Sequence, residues 1–391
     1  MISIIKGGAG MDLISTDYIW RDKKVITDGV YDLAFGSDEN DFKLTVTEKI
    51  KSIEGGSLLY IDGTEYGGVV DKIGYDDSKG TVSYEGRSWS GILNSKIIIP
   101  TSGYEGYAIE EGTKFNTAIT TLLTAMGVLT NNTYERTTNE GDSLTYKWTF
   151  LLDVDNAVRD IPVENNYVDP NDPDAALDPE NQKYKTKYII EEFASGYDGI
   201  CEFLKSLNIA LTFYLRQVSI NNTVISVPVL HFVPATDWTE TEEFDMETLP
   251  IEGTRLLNKT NHFIGLGNKI DGLTQRIVSH IYLTATGELT TDVTEWGFPG
   301  ASEIAAAEEI GIVEQSKCDR EAKKRMKKLI EEDEINVTLY ASHNYKIGDT
   351  VGRKEDILFD GEWIKQQITK KIVKLNNDDI TVDYEIGGDK K

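Results

Sequence analysis

The chain has four imidazoles, His231, His262, His280 and His343. None stands in the His-x-x-x-His or His-Glu-x-x-His spacing that sets two zinc ligands on one helix face. His262 and His280 fall in expected strands and read as satisfied structural histidines. Carboxylates are abundant, 66 in all, so close acidic pairs of the kind that cleave glycosidic bonds arise by chance and carry no signal. Asp153-Val-Asp155-Asn156 and the run from Asp169 to Asp178 lack the glycine-punctuated order of a calcium loop. No Gly-x-Ser-x-Gly elbow occurs, and neither cysteine has a catalytic signature. Gly7-Gly-Ala-Gly10 lacks the Lys-Ser/Thr ending of a phosphate loop, and Asn131-Asn132-Thr133 is a glycosylation triplet in a chain without a secretory leader. Hence the expectation is no catalytic residue, no metal, no cofactor and no enzymatic activity.

Composition narrows the partners. Forty Lys and Arg against 66 Asp and Glu leave a formal charge of −26, a field that repels nucleic acid and anionic membrane alike. The same charge keeps a protein soluble, and it also suits a surface past which DNA slides without sticking. Cys201 and Cys318, both in expected helices, do not make a disulfide framework. The start, Met1-Ile-Ser-Ile-Ile-Lys6, has no secretory core, and no apolar run is long enough to span a membrane; folding in a cytoplasm is expected.

The elements that position these residues read as mainly β. Phe42, Leu44 and Val46 alternate with polar neighbours; Leu58-Leu-Tyr-Ile61, Gly67 to Ile73 and Thr81 to Glu85 follow, separated by Asp/Gly turns. Phe115, Ile119, Leu122, Leu123 and Met126 share a helical face that Thr113 can cap and Gly127 can end. Ile200, Phe203, Leu204 and Leu207 repeat that pattern. Asn221-Asn222 marks a hairpin turn inside a second β-rich stretch. A charged helical insertion is expected over about 302–334, where Lys323-Lys-Arg-Met-Lys-Lys-Leu-Ile330 complements the helix dipole. Ile380, Val382, Tyr384 and Ile386 alternate with Thr381, Asp383 and Glu385 in a closing strand, which pairs with Trp363 to Leu375 across an Asn376–Asp379 turn.

Several of these stretches carry a resemblance. Phe42-Lys-Leu-Thr-Val46, Gly56 to Val70 and Tyr84-Glu-Gly-Arg-Ser-Trp89 resemble the opening of tail-tip or baseplate hub proteins of long-tailed bacteriophages, the siphovirus tail-hub and tail-associated-lysin N-terminal family. His280-Ile-Tyr-Leu-Thr-Ala-Thr-Gly-Glu-Leu289 resembles a later segment of that family. Tyr345-Lys-Ile-Gly-Asp-Thr-Val-Gly352, Ile368-Thr-Lys-Lys-Ile-Val373 and Tyr384-Glu-Ile-Gly387 resemble its closing domain.

The resemblance implies an α+β, mainly β fold with two tail-tube-like β-barrel domains and two smaller α-containing domains, in a trimeric ring. Mapped onto this chain, the first barrel covers 1–100 and a small α+β domain covers 101–209, with a Pro/Asp-rich arm at 161–187. The second barrel joins 210–285 to 335–391 around a helical insertion at 286–334. The implied role is a structural hub at the virion tail tip, assembled in the host cytoplasm. It joins the sixfold tube to a threefold tip and forms part of the DNA ejection channel. Implied partners are two further copies, a distal tail protein or tail-tube ring, a tape-measure protein, and tail-fibre or receptor-binding proteins. DNA passes without specific binding, and nothing spans a membrane. Acids on alternating strand positions, such as Asp383 and Glu385, are expected to face the channel. The ending close after Gly387 leads to the expectation that any lysin or adhesin is a separate chain. Two alternatives stand beside this reading: a receptor- or glycan-binding tail protein using Trp238 and Trp296, and a tail-associated wall hydrolase.

Overall fold

A computed structural model describes residues 3–6, 12–36, 39–102, 104, 106–129, 134–138, 141–146, 150–164, 187–191, 194–240, 251–254, 260–269, 276–312, 314–330, 334–337, 344–355, 362–376 and 379–387. Most of the 161–187 arm, the Gly7–Gly10 run, the Asn131 triplet and His343 lie outside these residues. The fold is mainly β, as its alternating patterns predict. No helix among the described residues is long and apolar enough to cross a membrane.

Eleven strands form the principal sheet. Its order runs Ser3–Lys6, Asp379–Gly387, Glu362–Asn376, Val30–Gly36, Asp41–Val46, Thr81–Ser88, Gly67–Asp76, Leu58–Ile61, Leu13–Thr16, Asp22–Ile26, with Thr350–Glu355 also paired to Glu362–Asn376. The path is open among the described residues, and no closed barrel forms. Its centre joins the two ends of the chain: Lys371 lies opposite Phe35 on one side and Tyr384 on the other, and Val373 lies between Leu33 and Val382. Tyr31, Leu33, Phe42, Leu44, Tyr84, Val373, Ile380, Val382 and Tyr384 form one buried core from both ends. Gly36 closes its strand at φ +138°, where a Cβ would stand 2.2 Å from the Thr369 carbonyl oxygen, so only glycine fits.

This pairing joins segments that the expected division places in different barrels. The 362–387 strands join those of residues 1–100 instead of a second barrel with 210–285, because strand periodicity fixes which face is buried and says nothing of the lateral partner. The stretch 210–285 is itself divided. Ile209–Ile220 and Thr223–Pro234 form a long hairpin through Asn221 and Asn222, both at positive φ, and Leu151–Val154 adds to it in parallel. His262–Lys269 and Arg276–Leu283 belong to a different, four-stranded sheet with Leu289–Thr290 and Ala305–Glu309.

The hairpin packs with the helices Phe115–Ala125 and Gly196–Lys205, where the Phe115 ring meets Phe232 edge-on at 5.5 Å and Phe203 lies 6.0 Å away. Lys114, not Thr113, occupies the helix N-cap and gives no side-chain cap; Gly127, at φ +68°, ends it as expected. This middle core also takes Leu58, Tyr60, Val69 and Trp89, while Leu59, Ile61 and Val70 turn to the sheet's other core. Burial on both faces explains why Leu58-Leu-Tyr-Ile61 is a continuous apolar run. Asp22 ties the two units: it accepts from Tyr60 and from Ser226 of the hairpin, each at 2.9 Å.

The helical insertion is shorter than expected. Ala305–Glu309 is a strand, parallel to His262–Leu266, because pairing overrides the helix preference of its alanines; the helix itself is Gln315–Ile330. Cys318, Ala322 and Met326 cover Phe263 and Ile281 of the four-stranded sheet.

One charge sits in the principal core. Lys371 is fully buried in the row of Val373 and Leu375, its ammonium bonded to Glu65 and 5.6 Å from the Tyr384 ring centre. Removing one partner of such a pair strands the other charge. Glu65→Ala should lower the unfolding free energy in urea by about 3–5 kcal/mol, whereas Glu65→Leu with Lys371→Met should recover most of it. Equal losses in both variants would show that the pair does not behave as a buried ion pair.

Candidate functional site

One connected arrangement of titratable groups lies on the four-stranded sheet, on the face turned away from its helix. His262 pairs across strands with Tyr282, and Ile264 with His280, which puts both imidazoles and the phenol on one face. Phe263 and Ile281 point the other way, to the helix. The His262 ring stacks on Tyr282 at 4.6 Å, and Trp296 closes over both at 5.4 and 5.2 Å. Glu303 reaches in from the connection before Ala305–Glu309.

The hydrogen bonds form a chain. Nδ1 of His262 is 2.7 Å from Glu303 Oε1, and Nε2 of His262 is 3.0 Å from Nδ1 of His280. An ionised carboxylate only accepts, so Nδ1 of His262 carries the proton toward Glu303. When His262 is neutral, its Nε2 accepts from Nδ1–H of His280, and His280 presents Nε2 as a bare lone pair. That order holds a proton acceptor at the surface. It does not build a nucleophile, since no hydroxyl or thiol is bonded to His280 among the described residues. Nor do the described residues hold a group of three or more side chains able to take a metal. The expectation of satisfied structural histidines describes His262, buried with both ring nitrogens engaged; the Glu303 link, 41 residues distant, had no local signal.

The other candidates are turned to structural use. Trp238 is no platform: its indole N–H donates to Asp349 at 3.0 Å and its ring meets Tyr345 edge-on at 5.1 Å. Asp349, fully buried, also accepts from the Thr236 and Lys346 backbone N–H groups, at 2.8 and 2.9 Å. Asp383 is buried in the sheet, whereas Glu385 is partly exposed and lies 3.5 Å from Lys370. A groove of about 310 Å3 runs between Gly196–Lys205 and residues 347–348 and 367–369, lined by Tyr197, Cys201, Leu204, Ile347 and Ile368. Burial pushes the Cys201 thiol up to about 12, far from a reactive thiolate. Cys318 is buried under its helix, and burial raises its thiol too.

Burial first, and the neighbouring His262 second, hold the His280 imidazole below the ordinary histidine value. The unfolded chain therefore takes up this proton before the folded one does. The neutral ring's stabilisation is complete above about pH 6.5 and is lost as pH falls from there toward the folded value. The thermal midpoint should drop as pH falls below about 6.5, and His280→Gln should make that drop smaller. An unchanged pH slope in the variant would remove His280 from the account.

No family model and no curated protein matches the chain. Among solved structures, the 43 kDa tail protein of prophage MuSo2 from Shewanella oneidensis aligns over 96% of this chain and 98% of its own, at 11% identity and a TM-score of 0.43. A tail protein from Neisseria meningitidis MC58 aligns over 97% of each chain, at 12% identity and a TM-score of 0.43. A chain of the phage P2 baseplate in its activated conformation aligns over 97% of this chain and 100% of its own, at 10% identity and a TM-score of 0.41. These structural neighbours are phage tail and baseplate proteins, but the superpositions are loose and no property of those proteins transfers on them.

Proposed function

We propose that the chain is a non-catalytic structural protein of a phage-type tail, a hub at its tip or baseplate, three copies of which form a ring around the path of the DNA. One observation supports this reading above the others. Six of the seven stretches by which the sequence resembles tail-tip hubs, at 42–46, 56–70, 84–89, 345–352, 368–373 and 384–387, fall within or beside the eleven-stranded sheet, and the seventh, 280–289, lies in the four-stranded sheet. Most of the motifs scattered over the chain thus serve one piece of architecture.

Their chemistry is that of scaffolding. In Gly86-Arg-Ser-Trp89, a Cβ on Gly86 would stand 1.9 Å from the Val69 carbonyl oxygen; Arg87 grips Asp71 through two 2.8 Å bonds; Ser88 caps the Trp89–Asn94 helix; Trp89 is buried. In Tyr345 to Gly352, Gly348 takes a φ of +94° and Asp349 pins the turn. Within the proposed ring, the neighbours are a distal tail protein or tube ring, a tape-measure protein and fibre or receptor-binding proteins. The charge of −26 serves to keep passing DNA from adhering.

Solution mass tests the reading. Light scattering on the purified protein, alone and with a tail-tube ring protein, should give three copies per particle, with a central hole in negative-stain images. A monomer in both conditions would overturn it. Binding of the isolated monomer to cell-surface glycans would favour the receptor-binding alternative instead.

A further inference from the structure

The strand Gly67–Asp76 is covered along only part of its outer edge. Leu58–Tyr60 pairs with Gly67–Val69, and Val70 donates to the Ser57 carbonyl and accepts from Gly56; beyond that point no described strand lies on this side. From Lys72 to Asp76 the strand pairs with Thr81–Glu85 on its other side alone. Alternate residues of a strand turn their N–H and C=O to the same side, so this stretch presents a row of backbone donors and acceptors outward.

One face of the same stretch is apolar. Ile73 lies opposite Tyr84 and Tyr75 opposite Val82, and both Tyr84 and Val82 are buried in the principal core. The register shift at Asp71 brings Ile73 onto the face of buried Val70. Ile73 and Tyr75 therefore continue the core face past its cover, at 43% and 68% exposure. The Tyr75 hydroxyl donates to Asp77 at 3.1 Å, which tethers the ring without covering it. Lysine on an edge ordinarily keeps other strands away, but Lys72 is drawn to Glu85 on the neighbouring strand at 2.9 Å.

We propose that the edge Lys72–Asp76 is a strand-addition site for an extended, basic segment of another polypeptide. The added strand completes the backbone ladder, lays apolar side chains beside Ile73 and Tyr75, and turns basic ones to the opposite face. Charge selects this occupant. Asp71 to Asp77 holds three Asp against one Lys, and the whole chain carries −26, so a basic segment is drawn in. A second copy brings a further −26 to a contact only one short strand long, far below the roughly 1,000 Å2 that a stable interface buries. The site is independent of how many copies form the ring.

The probe is a fluorescently labelled peptide of about seven residues, alternating valine and lysine. It is added to the full chain in about 0.3 M salt, where loose attraction between exposed charges is screened. Fluorescence anisotropy should show saturable binding, and hydrogen exchange read by mass spectrometry should slow over 71–76. Replacing two valines of the peptide by proline keeps its charge and breaks its strand, so binding should fall about tenfold or more. Ile73→Thr with Tyr75→Ser should weaken binding by a similar factor while the melting temperature stays near that of the wild type, because both side chains are exposed. Val293→Ser, at an exposed valine outside the sheets, should leave binding unchanged. Equal binding of the proline peptide, or unchanged binding by the double variant, would reduce the effect to charge and overturn the site. Exchange over 71–76 that slows with protein concentration and not with peptide would overturn it too, in favour of a second copy.

Discussion

Everything in this protein hangs on the pairing of Glu362–Asn376 with Val30–Gly36. That seam makes one sheet of strands from both ends of the chain, and one core of their inward residues. The segments between its two sides must therefore be packed as excursions from a sheet that already brackets them. Closing so long a loop costs conformational entropy that grows slowly with length, so the thermodynamic burden is modest, but the search for the partner is slow. The seam also contains its own check on register. Lys371 finds Glu65, 306 positions earlier, only when Lys371 lies opposite Phe35, and a one-residue slip would turn the ammonium to the other face. A buried ion pair contributes little net stability, but it penalises the wrong alignment heavily.

The local parts of this structure were legible in the residues and the lateral parts were not. Alternation identified Ile380, Val382 and Tyr384 as a buried row, and all three are buried. The apolar spacing of Phe115, Ile119 and Leu122 gave a helix, and Asn221-Asn222 gave a hairpin turn. These are short-range constraints, set by backbone geometry and the period of one element. Which strand lies beside which is decided by packing between residues hundreds of positions apart, so the pairing of Glu362–Asn376 with Val30–Gly36 leaves no local signal. Ala305-Ala-Ala307 failed for a related reason: intrinsic preference favours a helix, but the open edge of His262–Lys269 offers a ladder. Nothing in the sequence near Lys370-Lys371 announces that both are buried.

The candidate site was legible to the same degree. His262 and His280 were placed in strands, but the register that brings their nitrogens to 3.0 Å, and the carboxylate behind them, come from a hairpin and a crossover. Trp238 shows the converse. As a lone aromatic it fits a binding platform equally well; its bond to Asp349 turns it into a pin between residues 234–238 and 345–350. Buried His262 and Asp349 find partners far away in the chain, and sequence spacing carries no record of such partners.

The character of the motifs then bears on the kind of work the chain does. A family likeness built on catalytic residues would gather side chains around a reacting atom. Here the resembling residues are a glycine that admits a neighbouring carbonyl, a serine that caps a helix, an arginine that clamps a strand and an aspartate that closes a turn. Each fixes the backbone and none presents a reactive group. Function of that kind depends on shape and on the surfaces shape exposes, and it leaves the charged faces as the places where specificity is written. An overall charge of −26 sets what is repelled.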